Sequence, residues 1–297
     1  MSTELPARFQ AWFASRGWRP YGHQLSMIEV ASEGRHALLI APTGGGKTLA
    51  GFLPSLVELA ESRAGELHTL YISPLKALTV DVHRNLEQPI AEMGLGLRAE
   101  TRTGDTPAGK RQRQRTRPPQ LLMTTPESLA LLLSYPDASR LFAQLSCVII
   151  DELHALAGSK RGDLLALGLA RLQALAPECR RVALSATVAS PDALRTWLSP
   201  VADGGEVRLV RGEDGPPAEI SILTPAARIP WSGHMAIHTL PLVYAEICKA
   251  STTIVFVNTR AQAELCFQQL WRLNDLNLPI ALHHGSLAPE QRRKVEA

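Results

Sequence analysis

Two patterns alternate along the first two-thirds of the chain. Short, mostly apolar runs at 37–40, 67–72, 121–123, 147–150 and 181–184 read as strands buried on both faces, because a half-exposed strand would alternate apolar with polar positions. Between them, stretches such as 49–62 and 164–175 repeat apolar residues at helical spacing. The alternation predicts an α/β fold with a parallel sheet flanked by helices. Past residue 200 the pattern changes. Residues 201–235 are crowded with glycine and proline, including Asp203-Gly-Gly and Gly215-Pro-Pro, and predict a link between domains. A second α/β unit then opens with helix 238–249, strand 253–257, helix 261–273, strand 279–282 and a helix with Pro289 in its first turn. The pattern breaks off inside that helix, so the expected organisation is a first domain 1–200, a linker 201–235 and an incomplete second domain 236–297.

Composition narrows this little. A chain of 297 residues with 45% hydrophobic content has room for two packed domains and is not disordered. A net charge of +3 permits a polyanionic partner without requiring one. Cys147, Cys179, Cys248 and Cys266 form no C-x-x-C pair, so neither a zinc site nor a disulfide framework is indicated, and they read as reduced thiols. The N-terminus lacks a basic start followed by an apolar stretch, and nowhere do eighteen apolar residues run together. A cytoplasmic protein with no membrane partner is expected.

The chemistry gathers where the strands end. Ala41-Pro-Thr-Gly-Gly-Gly-Lys-Thr48 follows the first strand and reads as a phosphate-binding loop, with Ala41 where the strict pattern has glycine. Backbone N–H groups of Thr43, Gly44, Gly45 and Gly46 can cradle phosphate oxygens, helped by the positive end of the next helix. Lys47 would sit on the β/γ-phosphates of ATP, and Thr48 would hold Mg²⁺. The strand 147–150 ends in Asp151-Glu-Leu-His154. At the carboxyl end of a parallel strand these acids fall beside the phosphate loop, Asp151 as a Mg²⁺ ligand and Glu152 as the group that orients or deprotonates the attacking water. His154, next to them, suits a sensing or linking role.

These residues, with others in a fixed order, carry a resemblance. Gln24, the APTGGGKT loop, Ser73-Pro-Leu-Lys-Ala-Leu78, Thr103-Gly-Asp105, Thr124-Thr-Pro-Glu127, Asp151-Glu-Leu-His154, Ser185-Ala-Thr187 and Val255-Phe-Val-Asn-Thr-Arg260 resemble superfamily 2 helicases. Their spelling is similar to the large helicase-related (Lhr) branch, particularly the bacterial ligase-associated DEXH-box helicases. The resemblance runs from about Trp18 to the end of the chain. It implies a RecA-like ATP-binding domain followed by an incomplete second RecA-like domain, and an ATP-driven DNA motor. Movement from 3′ to 5′ on single-stranded DNA, opening of duplexes or RNA–DNA hybrids, and a repair role linked to a DNA ligase are implied by the resemblance alone. So is an arginine facing the γ-phosphate from a last motif of the second domain. That motif is not met before Ala297, so residues 1–297 are expected to be the N-terminal piece of a longer enzyme and to hydrolyse ATP weakly alone.

Read physically, the Gln24 amide can both donate to and accept from an adenine edge, with an aromatic near it to stack on the ring. The turns holding Ser73, Lys76 and Arg84, then Arg102 and Gly104, then Thr124 and Thr125, offer hydroxyls, charge and helix N-termini to a nucleic-acid backbone. Singly, each is also an ordinary capped strand-to-helix turn. Ser185 and Thr187 can join the acidic motif to that track. In the second unit Asn258, Arg260 and Ser286 are backbone-contact candidates; the neighbouring His283-His284 pair would point to opposite faces of a strand and suits a shared metal poorly. The basic run Lys110-Arg-Gln-Arg-Gln-Arg-Thr-Arg117 reads either as a solvated face or as a grip on duplex, and without aromatics it offers no stacking platform. A phosphate-loop ATPase indifferent to nucleic acid, and a binding module that uses ATP only as a conformational ligand, remain the alternatives.

Overall fold

The computed structural model describes residues 5–62, 65–186, 188–201, 207–213, 219–225 and 237–296. They fall into two compact units, Met1–Pro216 and Pro217–Ala297. In the first, seven strands form one sheet in the order β3-β4-β2-β5-β6-β1-β7. The strands are β1 (His36–Ile40), β2 (Thr69–Ile72), β3 (Ala99–Arg102), β4 (Leu121–Thr124), β5 (Cys147–Ile150), β6 (Arg180–Ser185) and β7 (Val207–Arg211). Every pairing is parallel. The intervening helices are α1 (Ala7–Ser15), α2 (Gly22–Ser32), α3 (Lys47–Glu61), α4 (Lys76–Glu92), α5 (Ala108–Thr116), α6 (Pro126–Ser134), α7 (Ala138–Phe142), α8 (Leu153–Leu156), α9 (Lys160–Leu175) and α10 (Pro191–Leu198).

Two apolar layers sandwich the sheet, as the period of a strand requires. Ala37 and Leu39 of β1 join Phe52, Leu53 and Leu56 of α3 on one face. Leu38 and Ile40 join the layer built by α6, α7, α9 and α10 on the other. The apolar runs thus feed both layers at once. Gly51 of α3 lies so near the sheet that an added Cβ would stand 3.1 Å from Leu184, which lets the helix seat closely above β5 and β6.

Two strands depart from expectation. β3 and β7 are the sheet's edges, and their sequences, Ala-Glu-Thr-Arg and Val-Arg-Leu-Val-Arg, contain no apolar run because an edge strand is only half covered. β7 lies inside the stretch 201–235 read as a linker, so the first unit runs beyond residue 200, to Pro216. The other residues of that stretch at 202–206, 214–218 and 226–236 lie outside the described residues.

In the second unit, α11 (Leu240–Ile247), α12 (Arg260–Arg272) and α13 (Pro289–Glu296) match the expected helices, preceded by a 3₁₀ turn Ile237–Thr239. The strands expected at 253–257 and 279–282 are not formed: neither enters a ladder. A strand's N–H and C=O groups bond only across to a neighbour, and a lone parallel pair buries too little to hold itself. Ile254 and Phe256 are accordingly 73% and 89% exposed.

One glycine of the first unit is fixed by space rather than by backbone angle. A Cβ on Gly162, in the first turn of α9, would meet the Leu156 carbonyl oxygen at 2.0 Å. Gly162→Ala is expected to cost about 1–3 kcal/mol, the usual range for overpacking. A thermal melt checks this; an unchanged melting temperature would mean the α8–α9 turn yields freely.

Candidate nucleotide site

A sheet with all strands parallel puts every carboxyl end on one edge, and six of the expected site segments leave from it. The phosphate loop follows β1, Ser73 follows β2, and Arg102 closes β3. Thr124 closes β4, Asp151 follows β5 and Ser185 closes β6.

The loop owes its shape to glycine. Gly44 and Gly46 have φ of +81° and +70°, values that L side chains rarely adopt. A Cβ on Gly45 would lie 3.0 Å from the Pro42 oxygen. Gly46 caps α3 in the left-handed conformation, so Lys47 and Thr48 form that helix's first turn. The Lys47 ammonium is buried and donates to the Ala41 carbonyl at 2.9 Å. Thr43 is exposed and Thr48 half-buried. The result is a tight glycine turn leading into a helix N-terminus, which suits a phosphate chain.

Gln24 is buried in α2, not on the surface. Its oxygen accepts the Tyr21 backbone N–H at 3.0 Å, closing a capping box, and Nε2 stands 3.5 Å from the Gly46 oxygen. The amide therefore joins the start of α2 to the phosphate loop. The exposed aromatic beside the loop is Tyr21: a Cβ on Gly46 would touch its ring at 3.4 Å. Trp18 is exposed as well but makes an edge contact with Trp12.

β7 reaches this loop from behind. Gly212 donates to the Ile40 carbonyl at 2.8 Å, and a Cβ there would lie 2.5 Å from the Ala41 Cβ and 3.4 Å from His23 Nδ1. His23 is buried, and neither ring nitrogen has a hydrogen-bond partner among the described residues. Burial pushes its pKa below the usual 6.5, against the opposing pull of the Gly45 backbone and Glu213.

The acids are held firmly. Asp151 is buried; Oδ2 accepts from the Tyr71 hydroxyl, and Oδ1 accepts the Glu152 backbone N–H at 3.0 Å. Burial first, then Asp151, drives the Tyr71 phenol far above its usual pKa, so it stays a donor. Glu152 has φ +47°, one of two non-glycine residues among those described with positive φ. His154 Nδ1 lies 3.0 Å from Ser185 Oγ and 3.4 Å from Glu152 Oε2. Ser185 and the acidic motif are thus joined through His154. Thr187 lies outside the described residues.

The expected nucleic-acid contacts divide by burial. Lys76, Arg84 and Gly104 are exposed. Lys76 pairs with Asp105 at 3.0 Å and lines an open groove of about 410 Å³ with Thr103, Thr106 and Lys110. Ser73, Arg102, Thr124 and Thr125 are buried. Thr124 Oγ1 donates to the Arg102 carbonyl, Arg102 donates to the Arg111 carbonyl, and Thr125 caps α6 by accepting from Ser128. The polar side-chain atoms of Arg102, Thr124 and Thr125 hold the edge together. Two cations of the basic run are also paired: Arg113, exposed, with Glu100, and Arg115 with Asp137 while stacking on Tyr135 at 3.9 Å. In the second unit Asn258, Arg260 and Ser286 are exposed, and the Ser286 N–H donates to His284 Nδ1 at 3.3 Å.

A glycine loop after β1 and an acid pair after β5, on one edge of a parallel sheet between helices, define a RecA-like phosphate-loop protein. The chain belongs to the DEAD/DEAH box helicase family, which residues 21–195 match. It is 34% identical over 287 residues to the ATP-dependent helicase Lhr-Core of Methanocaldococcus jannaschii, an overlap of 91% of this chain and 33% of that protein. With the Lhr helicase/uracil glycosylase of Escherichia coli it shares 38% identity over 307 residues, 89% of this chain and 19% of that protein. A solved structure of Mycobacterium smegmatis helicase Lhr bound to ssDNA and AMP-PNP superposes with a TM-score of 0.83 at 33% identity, covering 98% of this chain and 40% of that one. No described helix is long and apolar enough to cross a membrane.

Two predictions follow from the packing behind the loop. Gly212→Ala should press Ala41 forward and weaken ATP binding about tenfold, the effect of an overpacking cost of about 1–3 kcal/mol felt at the loop; an equilibrium titration with a fluorescent ATP analogue measures it. As pH falls below 6.5, the unfolded chain protonates His23 before the folded chain does, so stability is lost between 6.5 and the lower folded value. Urea titrations from pH 7.5 downward should therefore show a slope that His23→Gln flattens.

Proposed function

We propose that this chain is the ATP-binding part of an ATP-dependent DNA helicase that translocates on single-stranded DNA. The observation that carries this is the single sheet edge holding both the phosphate loop and the acidic motif, with His154 joining Glu152 to Ser185. The glycine cradle fits the phosphates of ATP, and the oxygen donors Thr48 and Asp151 fit Mg²⁺, a hard cation. When bound, Mg²⁺ would neutralise charge on the phosphate oxygens. In this proposal Lys47 exchanges the Ala41 carbonyl for the β/γ-phosphates. Glu152, held in the left-handed region with its carboxylate 3.4 Å from His154 Nδ1, orients and deprotonates the attacking water. Gln24 holds the loop against α2, and Tyr21 offers its face to the base. His154 and Ser185 report nucleotide state to the rest of the edge, with Thr187 proposed beside them.

Lys76, Arg84 and the backbone at Gly104 would meet the nucleic-acid backbone, together with Asn258, Arg260 and Ser286 of the second unit. The turns at Ser73, Arg102, Thr124 and Thr125 are proposed to border the same track, with most of their side-chain polar atoms engaged within the sheet edge. The helicase Lhr structure carrying ssDNA supports DNA as partner. Movement 3′ to 5′, action on RNA–DNA hybrids, a link to a DNA ligase in repair and a cytoplasmic setting are proposed on the resemblance to ligase-associated helicases alone. The chain spans 33% and 19% of the two curated relatives above, so activity belongs to a test on the whole protein.

In that protein single-stranded DNA should stimulate ATP hydrolysis. Glu152→Gln should lower the rate by about a hundredfold or more, as loss of a general base does, while ATP affinity stays within about twofold. Hydrolysis indifferent to DNA would leave an ATPase that is no motor; an unchanged rate in the Gln variant would remove Glu152 from the chemistry.

A further inference from the structure

Tyr71 stands on β2, the strand next to β5 in the sheet, and has no part in the roles above. Its side chain is 1% exposed and lies against Phe52 of α3, with centroids 5.2 Å apart and planes inclined by 26°. Its hydroxyl donates to Asp151 Oδ2. The other oxygen of that carboxylate accepts the Glu152 N–H, so Asp151 is gripped by donors from two different strands' ends. A planar carboxylate held at both oxygens cannot turn without breaking one bond. Of the two donors, the phenol is the one whose side chain rests on the helix that follows the phosphate loop. The helix on which its ring rests begins with Lys47 and Thr48.

We propose that Tyr71 is a positioning residue for the metal-binding half of the site: its ring takes its place from α3, and its hydroxyl passes that place on to Asp151. The separation between Thr48 and Asp151 is then set by one rigid side chain spanning helix and strand. A site needs such support, because ligands left to their own rotamers are held too loosely to bind a small, geometrically demanding cation. The inference rests on Asp151 as a Mg²⁺ ligand.

Tyr71→Phe keeps the ring and its stacking and removes only the hydroxyl. Binding of a fluorescent ATP analogue to the full chain, in EDTA and across a Mg²⁺ series, separates the roles. In EDTA the variant should match the parent within about twofold. With Mg²⁺ its affinity should fall about tenfold and its Mg²⁺ midpoint rise about tenfold, the low end of what a hydrogen bond to a charged group contributes. On an Asp151→Asn background the same change should cost nothing further. Phe52→Leu, which loosens the ring and leaves the hydroxyl, should move the Mg²⁺ midpoint in the same direction by less, so the test does not hang on one variant. A parent-like Mg²⁺ dependence in Tyr71→Phe, an equal loss with and without Mg²⁺, or additive losses in the double variant would each overturn the proposal. A parent chain whose ATP affinity ignores Mg²⁺ would overturn the assignment of Asp151 first, and the role of Tyr71 with it.

Discussion

Everything at the nucleotide edge depends on the parallel register of β1, β5 and β6. Ile40 sits opposite Ser185, so β1 and β6 end level, while Ile150 sits opposite Ile72 and Ala183, so β2 and β5 end together two residues sooner. The phosphate loop and Ser185 therefore sit at one height, and the acid pair turns off beside them two residues lower, all on the same sheet edge. A one-residue slip in β5 would send Asp151 to the opposite face, since successive side chains alternate. The two apolar layers prevent that slip: Val148 and Ile150 belong to one and Cys147 and Ile149 to the other, so each residue of β5 is claimed by a specific side.

The edge is stiffened by polar contacts that cross it sideways. Arg161 of α9 pairs with Glu127 of α6 and donates to the Pro74 carbonyl at 2.7 Å, tying the turns after β2 and β4 to the helix that follows the acidic motif. The Arg161 guanidinium holds the Glu127 carboxyl down at about 2. The pair is partly solvated, so its importance is geometric more than energetic. With Thr124 bonded to Arg102 and His154 to Ser185, adjacent strand ends are joined in chains of contacts, the physical form a coupling route must take.

The sequence shows the interior of this sheet and hides its borders. β1, β2, β4, β5 and β6 declare themselves because burial on both faces favours short, mostly apolar runs, and the glycine loop declares itself because its backbone angles demand glycine. β3 and β7 do not, for edge strands need no such run. Burial of Ser73, Arg102 and Thr124 is equally unreadable: Arg102 is covered by Arg111 and Tyr135, and Thr124 by Arg102, partners that spacing alone does not specify. Tyr71 looked like one more apolar strand residue, since its hydroxyl's partner lies eighty residues away. In the second unit the apolar runs at 253–257 and 279–282 have strand character without strand pairing, because pairing is a property of neighbours and not of a segment.

Glu152 carries a further consequence. A non-glycine residue in the left-handed region gives up roughly 1–2 kcal/mol of backbone energy, which glycine would recover. Under the role proposed for Glu152, thermal robustness and chemistry pull against each other at this one position. A selection for heat resistance alone would be drawn toward the very substitution that deletes the acid, and under that role the chain's most stable descendants by that route would be its silent ones.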